Sequence, residues 1–236
     1  MKPFKQKQYI AEFLATFILV FCGTGAVIIN QETHGTVTHV GIAMTFGLVV
    51  MCLIYAFGHI SGAHMNPAVS IALMSAGEMP KNKLMPYIFG QLLGALTASM
   101  VLRGLFPTNL LLGATLPHEG VMQSFLLEVI LTFFLMLTIL HLLYKKTSKE
   151  FPLIGFIVGS VVGLEALFAG PISGASMNPA RSLGPALVSG HVANLWIYLL
   201  APSIGALLAV PVARLFHATE KVEENVYESL LEEEIV

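Results

Sequence analysis

Apolar residues fall in blocks of membrane length at 9–29, 38–57, 84–103, 122–144, 152–169 and 194–216, separated by short polar segments. A helix needs about 20 apolar residues to cross the hydrocarbon core, so each block predicts a transmembrane helix. Two further apolar runs, 66–76 and 178–189, are too short to cross. At about 1.5 Å per residue they reach roughly halfway. Each opens on Asn-Pro, at Asn66-Pro67 and Asn178-Pro179. Asn as N-cap with Pro in the first helical position marks a helix start, so both runs predict half-helices.

The polar segments around the short runs are copies of one another. GHISGAHMNPAVS (58–70) returns as GPISGASMNPARS (170–182), with ten of thirteen positions identical. The likeness extends outward: AEFLATF (11–17) echoes LEVILTF (127–133), and LLGALTA (92–98) echoes SIGALLA (203–209). The repeats cover about 8–103 and 122–216, each with three full spans. An odd number of spans makes the second repeat enter from the opposite face, so the halves are related by a pseudo-two-fold axis in the membrane plane. One half-helix then enters from each side, and the two Asn-Pro ends meet near the middle. The expected fold is all-α and transmembrane, with six spanning helices and two half-helices in an inverted repeat.

Composition agrees with burial in lipid. The chain is 56% hydrophobic and 11% charged, with mean hydropathy +0.79, whereas about a quarter of a soluble domain's residues are charged. No Asp occurs, and seven of the fourteen acidic residues are Glu beyond position 219. Residues 1–216 therefore read as one membrane-embedded domain and 217–236 as a solvated acidic tail. Ten of the twelve Lys and Arg fall on one side of a six-span arrangement: Lys2, Lys5, Lys7, Lys81, Lys83, Lys145, Lys146, Lys149, Arg214 and Lys221. The positive-inside rule makes that side, and both termini, cytoplasmic. The first block is of spanning length and includes Glu12, which favours a retained span over a signal peptide. Cys22 and Cys52 both lie in apolar segments and support neither a disulfide framework nor a metal site.

Non-helical backbone at membrane depth must be buried in protein or line an aqueous cavity. SGAHM and SGASM suit extended strands with carbonyls turned into such a cavity: Gly62, Ala63 and His64 in one repeat, Gly174, Ala175 and Ser176 in the other. At their junction the two half-helix N-termini carry partial positive charge. Asn66 and Asn178 would donate to one water oxygen, turn its hydrogens outward and break a proton wire, while the helix ends repel cations. Glu12 and Glu128 correspond in the repeats and are expected to accept hydrogen bonds from the unwound loop of their own half, rather than to relay protons. Glu165 has no acidic counterpart, since Leu53 stands in the matching position, and pairs either with Arg181 or with an outer loop. His34, His39, His59, His64 and His118 show no metal-ligand spacing, and His64 reads as a pore-side residue.

On both Asn-Pro-Ala boxes (Asn66, Pro67, Ala68 and Asn178, Pro179, Ala180), the following Arg181, and Glu12 and Glu128 within spans, residues 8–216 resemble the aquaporin superfamily, the major intrinsic proteins. MCLIYAFGHISGAHMNPAV and AGPISGASMNPARSLGPAL are most similar to the nodulin-like intrinsic proteins of plants and their bacterial relatives. The resemblance implies a right-handed six-helix bundle, a homotetramer with a pore in each protomer, and residence in the cell membrane (plasma or inner). It places a narrow outer filter at Phe46, Ala166, Ala175 and Arg181, where strict water channels usually have His at the position of Ala166. Ala there implies a wider, less polar opening. Ser182 and Ala186 resemble the water-selective branch, whereas Tyr198 and Leu199 resemble the solute-conducting one.

The expected function is passive conduction of water and of small uncharged solutes, glycerol or neutral metalloid hydroxides, with protons and ions excluded. The alternatives are a strictly water-selective channel and a secondary transporter. An enzyme is not expected, because neither Ser61 nor Ser173 has a base or metal partner in its box. The expected partners are water, neutral solutes and the lipid bilayer, with no cofactor, no metal and no nucleic acid.

Overall fold

The structure, a computed structural model, describes residues 6–144 and 153–234, with side chains placed as far as Phe216. Among the described residues eight α-helices follow in order: α1 (Lys7–Glu32), α2 (Thr38–Ser61), α3 (Pro67–Ala76), α4 (Leu84–Leu105), α5 (Val121–Tyr144), α6 (Ile154–Ser173), α7 (Pro179–Ser189) and α8 (Leu195–Glu234). Six are long and apolar enough to cross a membrane, with α8 doing so over Leu195–Phe216. The short pair, α3 and α7, have ten and eleven residues. At about 1.5 Å per residue they reach roughly 31 Å end to end, close to the ~30 Å hydrocarbon core.

Predicted and observed bounds differ mainly at helix ends. Helix α1 extends to Glu32, and α2 and α6 run on to Ser61 and Ser173, into the boxes themselves. Helix α8 continues through the acidic segment to Glu234. Five of the ten cations expected on the cytoplasmic side, Lys2, Lys5, Lys145, Lys146 and Lys149, lie outside the described residues.

The long helices pack as equivalent pairs: α1 with α4 and α5 with α8, while α2 and α6 cross one another between the halves. Backbone contact explains the tightness. A Cβ on Gly94 would overlap the Phe13 carbonyl oxygen of α1, and a Cβ on Gly205 would overlap that of Val129 in α5. Those two glycines occupy equivalent places in the LLGALTA and SIGALLA copies, so one close-approach device operates in both halves. The α2–α6 crossing is likewise built on small residues, with Gly47 against Gly159 and Gly163.

The half-helices are buried by this frame. Ala68 and Ala180, at their tips, are fully buried. The Arg214 guanidinium donates to the Ser75 carbonyl at 2.7 Å, which satisfies an orphan acceptor at the C-terminal end of α3.

Candidate functional site

Both half-helices begin as expected. Asn66 and Asn178 have extended backbone (φ −154° and −150°), and their side-chain oxygens accept from the backbone N–H of Ala68 at 2.9 Å and of Ala180 at 3.0 Å. The opposite end of each amide crosses to the other repeat. Asn66 Nδ2 donates to the Met177 carbonyl at 2.7 Å, and Asn178 Nδ2 to the Met65 carbonyl at 2.8 Å. A primary amide has two N–H donors, so each Asn keeps one beyond this cross-brace. The Met65 and Met177 carbonyls are thereby used in locking the halves together, which the sequence reading did not anticipate.

The loops ahead of the half-helices are not the extended strands expected from sequence. Gly62, Ala63 and Met65 have φ of 89°, 49° and 51°, and Gly174, Ala175 and Met177 have 86°, 42° and 53°. Successive N–H groups of an extended strand point to opposite sides. Left-handed residues instead let neighbouring N–H groups converge on one anion, as in a backbone nest.

The anion is the buried carboxylate. Glu12 Oε1 accepts from the Ser61 hydroxyl (2.7 Å) and the His64 N–H (2.9 Å), and Oε2 from the Met65 N–H (2.8 Å) and Gln91 Nε2 (2.7 Å). Glu128 repeats this with Ser173, Ser176 N–H and Met177 N–H, each at 2.8 Å. Gln91 has no equivalent in the second half, where Pro202 follows Ala201 on α8.

Of the other scaffold residues, Tyr87 and Ser70 were not singled out from sequence, and Tyr198 and Ser182 only as markers of family branches. Tyr87 and Tyr198 donate to the Ser61 and Ser173 carbonyls at 2.8 and 2.7 Å, closing the C-terminal ends of α2 and α6. Ser70 receives Gln91 Nε2 and contacts His64 Nδ1 at 3.0 Å. Its counterpart Ser182 contacts Ser176 and receives the Thr115 hydroxyl. The signal was present: Ser70 and Ser182 end the two box copies, and the Tyr87/Tyr198 spacing is that of the LLGALTA and SIGALLA copies.

A cavity of about 340 Å³ runs past these loops, from Glu78, Met79 and Lys83 at one end to Phe46 and Arg181 at the other. Asn66 and Asn178 both line it, as do Gly62, Ala63, His64, Ala175 and Ser176. Gly174 does not. It packs against Thr115, whose Cγ2 would lie 3.0 Å from a Cβ placed there, whereas Gly62, the equivalent left-handed cap of α2, lies against the His64 ring. Much of the remaining wall is aliphatic: Leu19, Val50, Ile54, Leu135, Val158 and Val162 are among its residues.

The four positions expected to form a filter, Phe46, Ala166, Ala175 and Arg181, all line this one cavity. The Arg181 Cζ stands 5.0 Å from the centre of the Phe46 ring, a cation–π geometry, and that ring fills the space over Gly23. Arg181 Nη1 donates to the Gly113 carbonyl at 2.9 Å. The side chains of Ala166 and Ala175, which line the same cavity, are methyl groups. Glu165 forms neither of its two expected pairings: among the described residues it bonds neither Arg181 nor an outer loop, and its Oε2 is buried without a partner. The described residues contain no group of three or more potential metal ligands.

A membrane-spanning bundle whose two half-helices meet beside a continuous internal cavity defines a channel. Residues 2–212 match the Major intrinsic protein family, and the chain belongs to it. It is 44% identical over 220 residues to aquaporin NIP1-1 of Zea mays, covering 93% of this chain and 77% of that protein. It is 42% identical over 221 residues to nodulin-26 of Glycine max, covering 93% and 80%. Its fold superposes on the aquaglyceroporin from Plasmodium falciparum with a TM-score of 0.73 at 29% identity, covering 89% of this chain and 98% of that one. The protein is a channel for water and small neutral solutes.

Proposed function

We propose that the cavity admits water and also glycerol or neutral metalloid hydroxides, and that it excludes protons and other ions. The observation that supports the wider passage is the methyl side chain of Ala166 beside Ala175, facing Phe46 and Arg181 in the outer filter. With no imidazole at that place, Phe46 supplies an apolar wall for a carbon backbone, and Arg181 supplies donors for hydroxyl oxygens. Transport is passive, and no bond is made or broken.

Exclusion follows from the middle and the filter together. The free amide N–H groups of Asn66 and Asn178 hold a passing water oxygen, so its hydrogens point away from its neighbour on either side. The helix ends and Arg181 oppose cations. Gly62, Ala63 and His64, with Ala175 and Ser176, offer carbonyls along the wall, while Glu12 and Glu128 hold those loops in shape. Both termini are assigned to the cytoplasm of a cell-membrane protein that assembles as a homotetramer.

Stopped-flow light scattering on purified protein in liposomes tests this reading. It should give water flow well above that of empty vesicles, together with glycerol uptake that neither saturates at low concentration nor follows a proton or sodium gradient. Water flow without glycerol, urea or arsenous acid flux would leave a water-selective channel instead.

A further inference from the structure

Arg181 does not stand alone at the filter, because the carbonyl it rests on is itself held in place. Gly113 lies in the segment between α4 and α5, directly after Leu112, which has φ +52° although fully buried. A non-glycine residue in that conformation persists only where its surroundings over-determine it. Leu112 packs with Ile28 and Leu102, and its N–H is capped by Asn109 Oδ1 at 2.8 Å. Gly113 follows at φ +70°, pressed so close to Thr24 that a Cβ would lie 2.8 Å from the Thr24 Cβ.

Asn109 is 6% exposed and uses both ends of its amide. Its Nδ2 donates to Gln31 Oε1 at 3.1 Å and to Glu32 Oε1 at 3.0 Å, in the last turn of α1. Its own carbonyl receives Arg103 Nη1 at 2.7 Å, from the last turn of α4. The Asn109 side chain therefore ties the end of α1, and its main-chain carbonyl ties the end of α4, to the turn that presents the Gly113 carbonyl to Arg181. Arg181 Nε has no partner among the described residues, so the link through Gly113 is the guanidinium's hydrogen-bonded anchor there.

We propose that Asn109 is a positioning residue for solute selection: through the Leu112–Gly113 turn it sets where the Arg181 guanidinium points, and hence how well the filter serves a polyol relative to water. This rests on the channel reading above. A water molecule needs one donor at a time, whereas glycerol must exchange several hydroxyl contacts in the same narrow place. Loosening Arg181 therefore penalises glycerol more than water.

The test measures water and glycerol permeability per folded channel in liposomes for the wild type, Asn109→Ala, Asn109→Asp and the double variant Asn109→Asp with Glu32→Gln. Asn109→Ala should lower the glycerol-to-water ratio by about threefold to fivefold, on the scale of one oriented hydrogen bond. Asn109→Asp keeps the acceptor for the Leu112 N–H but turns an oxygen toward Glu32, and should lower the ratio as well. In the double variant residue 32 becomes the donor and residue 109 the acceptor, so the ratio should return toward the wild-type value.

A purely structural role for Asn109 would reduce the amount of folded protein and both permeabilities together. An unchanged ratio in Asn109→Ala, or no rescue in the double variant, overturns the proposal while leaving the channel reading intact. A wild type that passes neither water nor glycerol overturns both. Should the wild type pass water alone, the same series is read on water: flow per folded channel must fall in Asn109→Ala and recover in the double variant, and unaltered flow overturns the proposal.

Discussion

At the scale of single residues, the filter and the central constriction are set by charge and volume at a few positions. Replacing Ala166 with His would place a ring and a donor opposite Phe46 and Arg181. Glycerol uptake should fall at least about tenfold, while water flow changes by less, because desolvating hydroxyls in a narrowed polar site costs more than about 1.4 kcal/mol. Stopped-flow comparison of the two fluxes checks this. Asn178→Asp leaves an acceptor for the Ala180 N–H but removes the donor to the Met65 carbonyl and puts a negative charge where two helix N-termini meet. Cation conductance should appear in planar bilayers, against none in the wild type. The filter positions were expected from the family resemblance, counted from the Asn-Pro boxes. Asn109 was not, since nothing in its sequence surroundings indicates that residues near 31 and 109 meet.

At the scale of elements, each unwound loop depends on one carboxylate, and the two halves are unequally supported. Glu12 accepts four hydrogen bonds and Glu128 three, the difference being Gln91. Glu128→Gln turns a donor toward the Met177 N–H or loses the Ser173 and Ser176 pair. It should destabilise the channel by about 1–3 kcal/mol, seen as a lower unfolding temperature in detergent. The packing of long helices gives a second test. Gly205→Val forces α8 off α5 at the Val129 carbonyl, and overpacking of this kind costs about 1–3 kcal/mol. Gly94→Val should behave alike in the other half, and a monodispersity and thermal-unfolding assay would read both. The eight helices were legible because apolar run length and the Asn-Pro starts are local signals. The loops ahead of the half-helices were misread as extended: the left-handed residues follow from a carboxylate 48 to 53 residues away collecting neighbouring N–H groups, which no local pattern reports.

At the scale of the whole molecule, the inverted repeat makes the passage a joint product of both halves. The cross-brace through Asn66 and Asn178 means that neither half-helix tip is complete without the other. Asn66→Ala should therefore cost more than the roughly 1 kcal/mol of a lost N-cap alone, because the Met177 carbonyl also loses its donor. The ordering Asn66→Ala below Asn66→Asp in thermal stability would bear on this, since Asp retains the capping oxygen. The residue sequence by itself determined the spanning helices, the opposed half-helices and the membrane setting, because run length, helix-start chemistry and an internal repeat are properties of the chain. Only the tertiary structure decided how the loops fold around Glu12 and Glu128, which carbonyls the two Asn amides take, and what holds Arg181. Those depend on backbone groups brought together from distant segments, and a backbone N–H or C=O has the same identity at every position in the sequence.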